Sequence, residues 1–140
     1  MREILFKAKR IDNGEWVEGF YLKRYDFLGK EEHLILRVNS YRTWEYVKVF
    51  SETICQFTGL CDKYGNKIWE NDIVKTVSDI YAHIKFGLYT TGFALEECNQ
   101  GFYVDFPNES YLRHELGYWN NKVEVRGNIF DNSKLLQEVR

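Results

Sequence analysis

Asp62, Glu70 and Asp72 crowd one short stretch, and carboxylates at that density are what a hard divalent cation or an acid–base pair requires. A structural reading competes. Asp62 opens the segment Asp62-Lys63-Tyr64-Gly65-Asn66-Lys67, where an Asx turn is sufficient reason for an aspartate. Glu70 and Asp72 flank Asn71 at the entrance to the apolar Ile73-Val74 step, where they cap or fence a strand. The structural role is the expectation for all three, with metal binding or catalysis the lesser alternative.

Other nucleophile and ligand patterns are sparse. Cys55 and Cys61 lack the two-residue spacing of a zinc knuckle or a redox dithiol, and His33, His83 and His114 are scattered singly. A Cys98–His114 nucleophile pair requires the two to meet in space. No Gly-x-Ser-x-Gly elbow is present, and Gly59, Gly65, Gly87 and Gly92 form no phosphate loop. The expectation is a protein that is not an enzyme, with no catalytic, cofactor-binding or metal-binding residue.

Recognition has more to build on. Lys7, Lys9, Arg10, Lys23 and Arg24 share the first hairpin region with Tyr21 and Tyr25, the most basic and aromatic locality in the chain. Bases stack on aromatic rings while Lys and Arg meet phosphates, so this surface is a candidate for nucleic-acid or protein contact. Alternation puts Lys7 and Lys9 on one side of a strand whose other side is apolar. The plainer reading is a solvated sheet face.

These residues need a scaffold, and 140 residues suffice for one domain that buries about two thirds of its unfolded surface. The 44% hydrophobic and 17% aromatic content excludes a disordered chain, and one Pro with ten Gly suits short strands better than long helices. Net charge is -2, with ten basic and nine acidic groups in residues 1–60 and nine basic and twelve acidic after them, so bulk charge gives no support to non-specific nucleic-acid binding. Three cysteines cannot all pair within the chain and no signal-like segment precedes them, which points to a reducing cytoplasm. No apolar run approaches the roughly 20 residues a membrane helix needs.

In chain order, Ile4-Leu5-Phe6 leads into Lys7-Ala8-Lys9-Arg10 as a first strand, Asp12-Asn13-Gly14 is a hairpin turn, and Trp16 to Leu22 is the return strand, with Gly19 at a bulge or close approach. Lys23 to Glu32 reads as a loop before a strand at His33 to Val38, whose edge is available for pairing between subunits. Asn39-Ser40 turns into Thr43 to Phe50, where the alternation is impure. Ile80, Ala82, Ile84 and Phe86 alternate with Tyr81, His83 and Lys85 as a half-buried strand. Phe93-Ala94-Leu95 and Gly101 to Val104 read as meander neighbours, and Ser110 to Leu116 as a helical turn capped by Ser110. Val123 to Ile129 is a last strand, followed by a short helix through Leu135 and Leu136 capped by Asp131 or Asn132.

Three blocks carry a family likeness: Leu5 to Lys9 with Asp12, Asn13, Gly14, Trp16 and Gly19; Gln56, Thr58, Gly59, Leu60, Asp62 and Gly65 with Ile68, Trp69, Glu70, Asp72, Ile73 and Val74; and Val123 to Val125 with Gly127, Asn128, Asp131 and Asn132. In order and spacing they resemble the YopX family of phage and prophage proteins. The resemblance implies a phage context, an SH3-like β-barrel in the second half and assembly into homo-oligomers, and it implies no reaction. The matching residues are expected to be structural. Departures are mild: Ala8, Cys55 and Asn71 stand where Gly is common, Ser133 where Pro often opens the helix, and Arg126 where an apolar residue is usual. Asn71 can keep the positive φ of the glycine it replaces.

The expectation is thus an all-β chain: a small SH3-like barrel with an N-terminal hairpin region and a short C-terminal helix. It forms a single domain over 1–140 that divides into packed halves, 1–58 and 59–140. Its function is a non-enzymatic binding or adaptor module contacting a host or phage protein. The alternative is a nucleic-acid-binding barrel, and a carboxylate-dependent enzyme ranks third. A cofactor and a membrane partner are not expected.

Overall fold

A computed structural model describes residues 3–90 and 99–137. The chain folds as two compact units, Met1–Phe57 and Thr58–Arg140.

The first unit contains β1 (Phe6–Lys9), β2 (Trp16–Tyr25), β3 (Glu31–Val38), β4 (Trp44–Lys48) and the start of β5 (Cys55–Cys61), in the spatial order β4-β3-β2-β1-β5. Antiparallel pairing sets Ala8 opposite Val17, Tyr21 opposite Ile35, and Ile35 opposite Val47. These residues point to one side, and Ala8, Val17, Ile35, Val47 and Val49 form the core of this unit with Phe6, Tyr21 and Ile54 against it. Strand β2 serves two partners, β1 through Gly19 and β3 from Phe20 onward. At the changeover a Cβ on Gly19 would lie 2.1 Å from the Leu36 carbonyl oxygen, so the sequence needs Gly there for close approach.

The turns follow from Asx chemistry. Arg10 N–H donates to Glu15 O and Gly14 N–H to Arg10 O, both at 2.9 Å, and only Gly14 in this loop has positive φ, at 73°. The Asp12-Asn13-Gly14 segment therefore lies in a longer hairpin loop, not in a two-residue primed turn. Half of the expected loop Lys23 to Glu32 is strand, since β2 runs to Tyr25 and β3 starts at Glu31. Arg24 pairs Glu32 and Tyr25 pairs Glu31, because Asp26 Oδ1 accepts the Leu28 and Lys30 N–H groups at 2.9 Å and closes the turn in a few residues. Strand 33–38 is correspondingly not an edge: β3 runs between β2 and β4.

In the second unit the end of β5 lies beside β6 (Lys67–Trp69), and a separate sheet has the order β10-β7-β8-β9, from β7 (Asp72–Lys75), β8 (Tyr81–Tyr89), β9 (Asn99–Asp105) and β10 (Glu124–Asn128). Its core is Ile68, Val74, Ala82, Ile84, Val104, Phe106, Leu116, Trp119 and Val123. The alternation of β8 holds through Ile84 and then fails, since Phe86 is exposed. The expected strand Phe93-Ala94-Leu95 lies outside the described residues, as does Gly92, and the observed neighbour of β9 is β8.

An all-β fold with two sheets and a short C-terminal helix is present, α2 (Lys134–Gln137). The SH3-like barrel is not. Among the described residues neither sheet closes on itself: β10 and β9 end the second sheet. The outer side of β9 is occupied by irregular chain, with Val104 N–H donating to His114 O at 2.8 Å and Tyr103 bridged to Glu115. At the other end β10 pairs β7 through a bulge between Val125 and Gly127, which turns Arg126 out to solvent. Because residues 113–115 follow β9 in this way, the expected helix at Ser110 to Leu116 starts only at α1 (Leu116–Trp119). Tyr111 contributes to a cluster with Phe106 and Trp119 instead, all ring centroids within 4.9 Å.

Candidate functional site

The first unit's sheet has a second face. Opposite Ala8 and Val17, the strand period puts Lys7, Lys9, Trp16, Glu18, Phe20, Leu22 and Arg24 on one side. Register extends that side across two further strands in rows: Phe20–Leu36–Tyr46, Leu22–Leu34–Lys48, and Val38–Trp44. Leu34 is fully buried, but Phe20, Trp44 and Tyr46 are 56%, 58% and 57% exposed, and Leu22 and Val38 are exposed too. The Phe20 and Trp44 rings are 6.3 Å apart. An antiparallel sheet that faces water normally alternates apolar-in and polar-out, whereas β2, β3 and β4 are apolar on both sides.

Alternation divides the basic and aromatic cluster that the sequence suggests. Lys7, Lys9 and Arg24 belong to the outward face, while Tyr21, Lys23 and Tyr25 fall on the opposite side of β2. Lys7 Nζ and Lys9 Nζ lie 4.6 Å and 5.5 Å from the Trp16 ring centroid, so this ring holds two ammonium groups against the sheet. Arg10 makes a two-pronged pair with Asp12, 2.9 Å at each contact. That hydrogen bond raises the Arg10 pKa and holds the Asp12 carboxyl below its usual range. Lys23 pairs with Glu31 at 2.8 Å, and Arg24 and Lys48 share Glu32 at 2.9 Å and 3.3 Å. Hydrogen bonds to Lys23 and to Arg24 lower the Glu31 and Glu32 carboxyls. Much of the positive charge in this region is thus matched locally.

Tyr21 Oη and His33 Nδ1 are 2.6 Å apart, and His33 Nε2 lies 2.9 Å from Glu31. Burial pushes the Tyr21 phenol upward, away from a phenolate nucleophile.

Both aspartates of the central stretch have a local task. Asp62, 5% exposed, accepts Tyr64 and Asn66 N–H through Oδ1 at 2.9 Å and 2.8 Å, and Val125 N–H through Oδ2 at 2.9 Å. Burial alone would raise its pKa, but the N–H groups of Val125, Asn66 and Tyr64 outweigh that and hold it below the ordinary value. Asp72, 2% exposed, accepts Trp69 N–H at 2.8 Å. Asn71 has φ 71° between Glu70 and Asp72, and its side-chain oxygen lies 2.9 Å from His83 Nε2. Among the described residues no three His, Cys, Asp or Glu side chains come together to hold a metal.

The single histidines and Cys55 are similarly occupied. His114 Nδ1 donates to Val104 O at 2.9 Å, and the buried Cys55 thiol donates to Thr53 O at 3.2 Å. The Cys98 half of the proposed Cys98–His114 pair lies outside the described residues. The outward rings of Trp44 and Tyr46 were the residues least legible in the sequence as a surface. Their signal was the impure alternation of 43–50, where Trp44 and Tyr46 alternate with Val47 and Val49 and make both faces apolar.

No helix among the described residues is long and apolar enough to cross a membrane. No curated protein matches the chain. A match to the family described as YopX protein extends over residues 5–137 and takes in the outward-face strands, the Asp62 turn and the Gly127–Asn132 corner alike, so the chain belongs to the YopX family.

Proposed function

We propose that this phage-type protein is a non-enzymatic recognition module that works in the bacterial cytoplasm and docks a host or phage protein on the outward face of β2, β3 and β4. The observation that carries this reading is the single patch of Phe20, Leu22, Val38, Trp44 and Tyr46, each exposed and all on one side of three hydrogen-bonded strands. Half-exposed aromatic side chains supply large contact area at low entropic cost, and together these five present on the order of 500 Å² of apolar surface. The surrounding Lys7, Lys9, Arg24, Glu32 and Lys48 form the polar rim expected of a protein interface.

The test is affinity capture from phage-infected cells with the wild-type protein and with a Phe20→Ala/Trp44→Ala double variant. A host or phage protein retained by the wild type and lost by the variant supports the reading. Equal retention by both proteins overturns it.

A second reading, contact with single-stranded nucleic acid, draws on the placement of Lys7, Lys9 and Arg24 beside the same rings. Its test is fluorescence anisotropy of labelled DNA and RNA against salt. Affinity that falls linearly in log salt supports it, and absence of binding at low salt removes it. Assembly of the chain with copies of itself also belongs to the proposed reading, and native mass spectrometry decides it.

A further inference from the structure

Strand β4 ends its sheet, and the hydrogen-bond pattern shows which of its backbone groups look outward. Val49 N–H donates to His33 O at 3.0 Å and Asn39 N–H to Thr43 O at 2.9 Å, so the odd-numbered residues from 43 to 49 bond to β3. The backbone groups of Trp44, Tyr46 and Lys48 therefore point away from β3. Lys48 O accepts Ile11 N–H at 3.0 Å, beside the Arg10–Val49 bridge. There the neighbouring chain turns off at Asp12. Among the described residues, the outward N–H and C=O groups of Trp44 and Tyr46 and the Lys48 N–H meet no hydrogen-bond partner.

A groove of about 340 Å³ runs along this open segment, between the Arg10–Asp12 turn and the Glu45–Lys48 edge. Tyr46 lines it and also belongs to the row Phe20–Leu36–Tyr46. Two features thus coincide: a run of unmet backbone donors and acceptors, spaced about 7 Å apart along the strand, and an aromatic surface continuous with it.

We propose that the β4 edge is a strand-addition site, at which an extended segment of a partner protein lies in this groove and continues the sheet. This proposal deepens the recognition reading and rests on it for the existence of a partner. The edge chemistry selects the occupant. Alternating N–H and C=O groups are matched by another extended backbone, and neither a nucleic-acid strand nor a lipid surface supplies that pattern. The incoming strand carries apolar side chains at alternate positions, which land on Trp44 and Tyr46. Between them it carries polar side chains, which meet the Arg10–Asp12 pair and Glu45.

The experiment selects a displayed library of random peptides, about 12 residues long, against the full chain. Amide hydrogen exchange of the protein is then followed by NMR with and without a selected peptide. Selected peptides are expected to alternate apolar and polar residues and to slow exchange at Tyr46 and Lys48 by about tenfold or more. Tyr46→Ala loses the ring contact and weakens binding but keeps the backbone donor, so the Lys48 amide stays protected in the bound state, whereas Tyr46→Pro removes an edge N–H without removing a β3 bond and weakens binding by about a further tenfold. The wild-type exchange measurement decides the matter even where the proline variant fails to fold.

Failure to select any peptide overturns the proposal, as do bound peptides that leave Tyr46 and Lys48 exchange unchanged. Protection of the same amides in the protein alone, with a dimer mass, makes the occupant a second copy and also overturns it. Peptides that lose affinity on Phe20→Ala without protecting the edge leave the outward-face reading standing and refute strand addition alone. Edge protection that is indifferent to Phe20→Ala and Trp44→Ala supports strand addition and removes the face.

Discussion

Replacing Asp62 by Ala should damage the second unit more than any other single carboxylate change. The side chain satisfies three backbone N–H groups, from Tyr64, Asn66 and Val125, and so ties the turn to β10. Truncation leaves these donors short of partners in a part-buried site, and about 1 kcal/mol for each gives a loss of about 3 kcal/mol. For a chain of this size that lowers the melting midpoint by about 10 °C. Asp62→Asn keeps the Oδ1 acceptor but can set an amide donor against Val125 N–H, so its loss should be about half as large. The pH dependence separates charge from shape. The folded-state pKa of Asp62 lies below its ordinary value, so its contribution is complete above the unfolded pKa of about 4 and is lost as pH falls through the folded value. Urea unfolding of the wild type and both variants, from about pH 7 down to about pH 3, measures this directly. A loss under about 0.5 kcal/mol for Asp62→Ala, or a wild-type advantage that does not shrink in acid, would refute the reasoning.

Gly19→Ala places a Cβ on the Leu36 carbonyl and should cost about 3 kcal/mol or more in denaturant unfolding, whereas Gly14→Ala, with open space around its Cβ, costs only the price of positive φ, about 1 kcal/mol. Asn71→Gly should leave stability within about 0.5 kcal/mol, because the lost His83 contact is offset by relief at φ 71°, while Asn71→Ala loses both and should unfold at visibly lower urea. Phe20→Ala and Trp44→Ala change thermal stability by less than about 1 kcal/mol, since both rings are more exposed than buried, and this makes them clean probes of binding.

Local chemistry was legible and long-range closure was not. Asp62 at the head of its turn, Asn71 holding positive φ and Gly19 at a close approach each follow from what one residue can do with its neighbours. The alternation of β8 told which side of that strand is buried as far as Ile84. The barrel failed because closure depends on which strand meets which edge. Nothing in the β9 residues announces that His114 and Glu115 will lie along them. Strand β3 misled for a related reason: its two partners are chosen by turns at Asp26 and Asn39 that shorten loops and lengthen strands. The basic cluster near Tyr21 looked continuous because sequence proximity hides the period of two, which sends Arg24 and Lys23 to opposite faces.

Hydroxyl-radical footprinting in an extract of phage-infected cells tests the central claim most directly, because it reports which side chains a partner covers without requiring its identity. Labelling of Phe20, Trp44 and Tyr46 should fall several-fold relative to the purified protein, while Phe27 and Tyr41, exposed elsewhere on the same unit, keep their labelling. Unchanged labelling of the three outward rings, with protection confined to Phe27, Tyr41 or the exposed Phe86 and Leu88, would contradict the account.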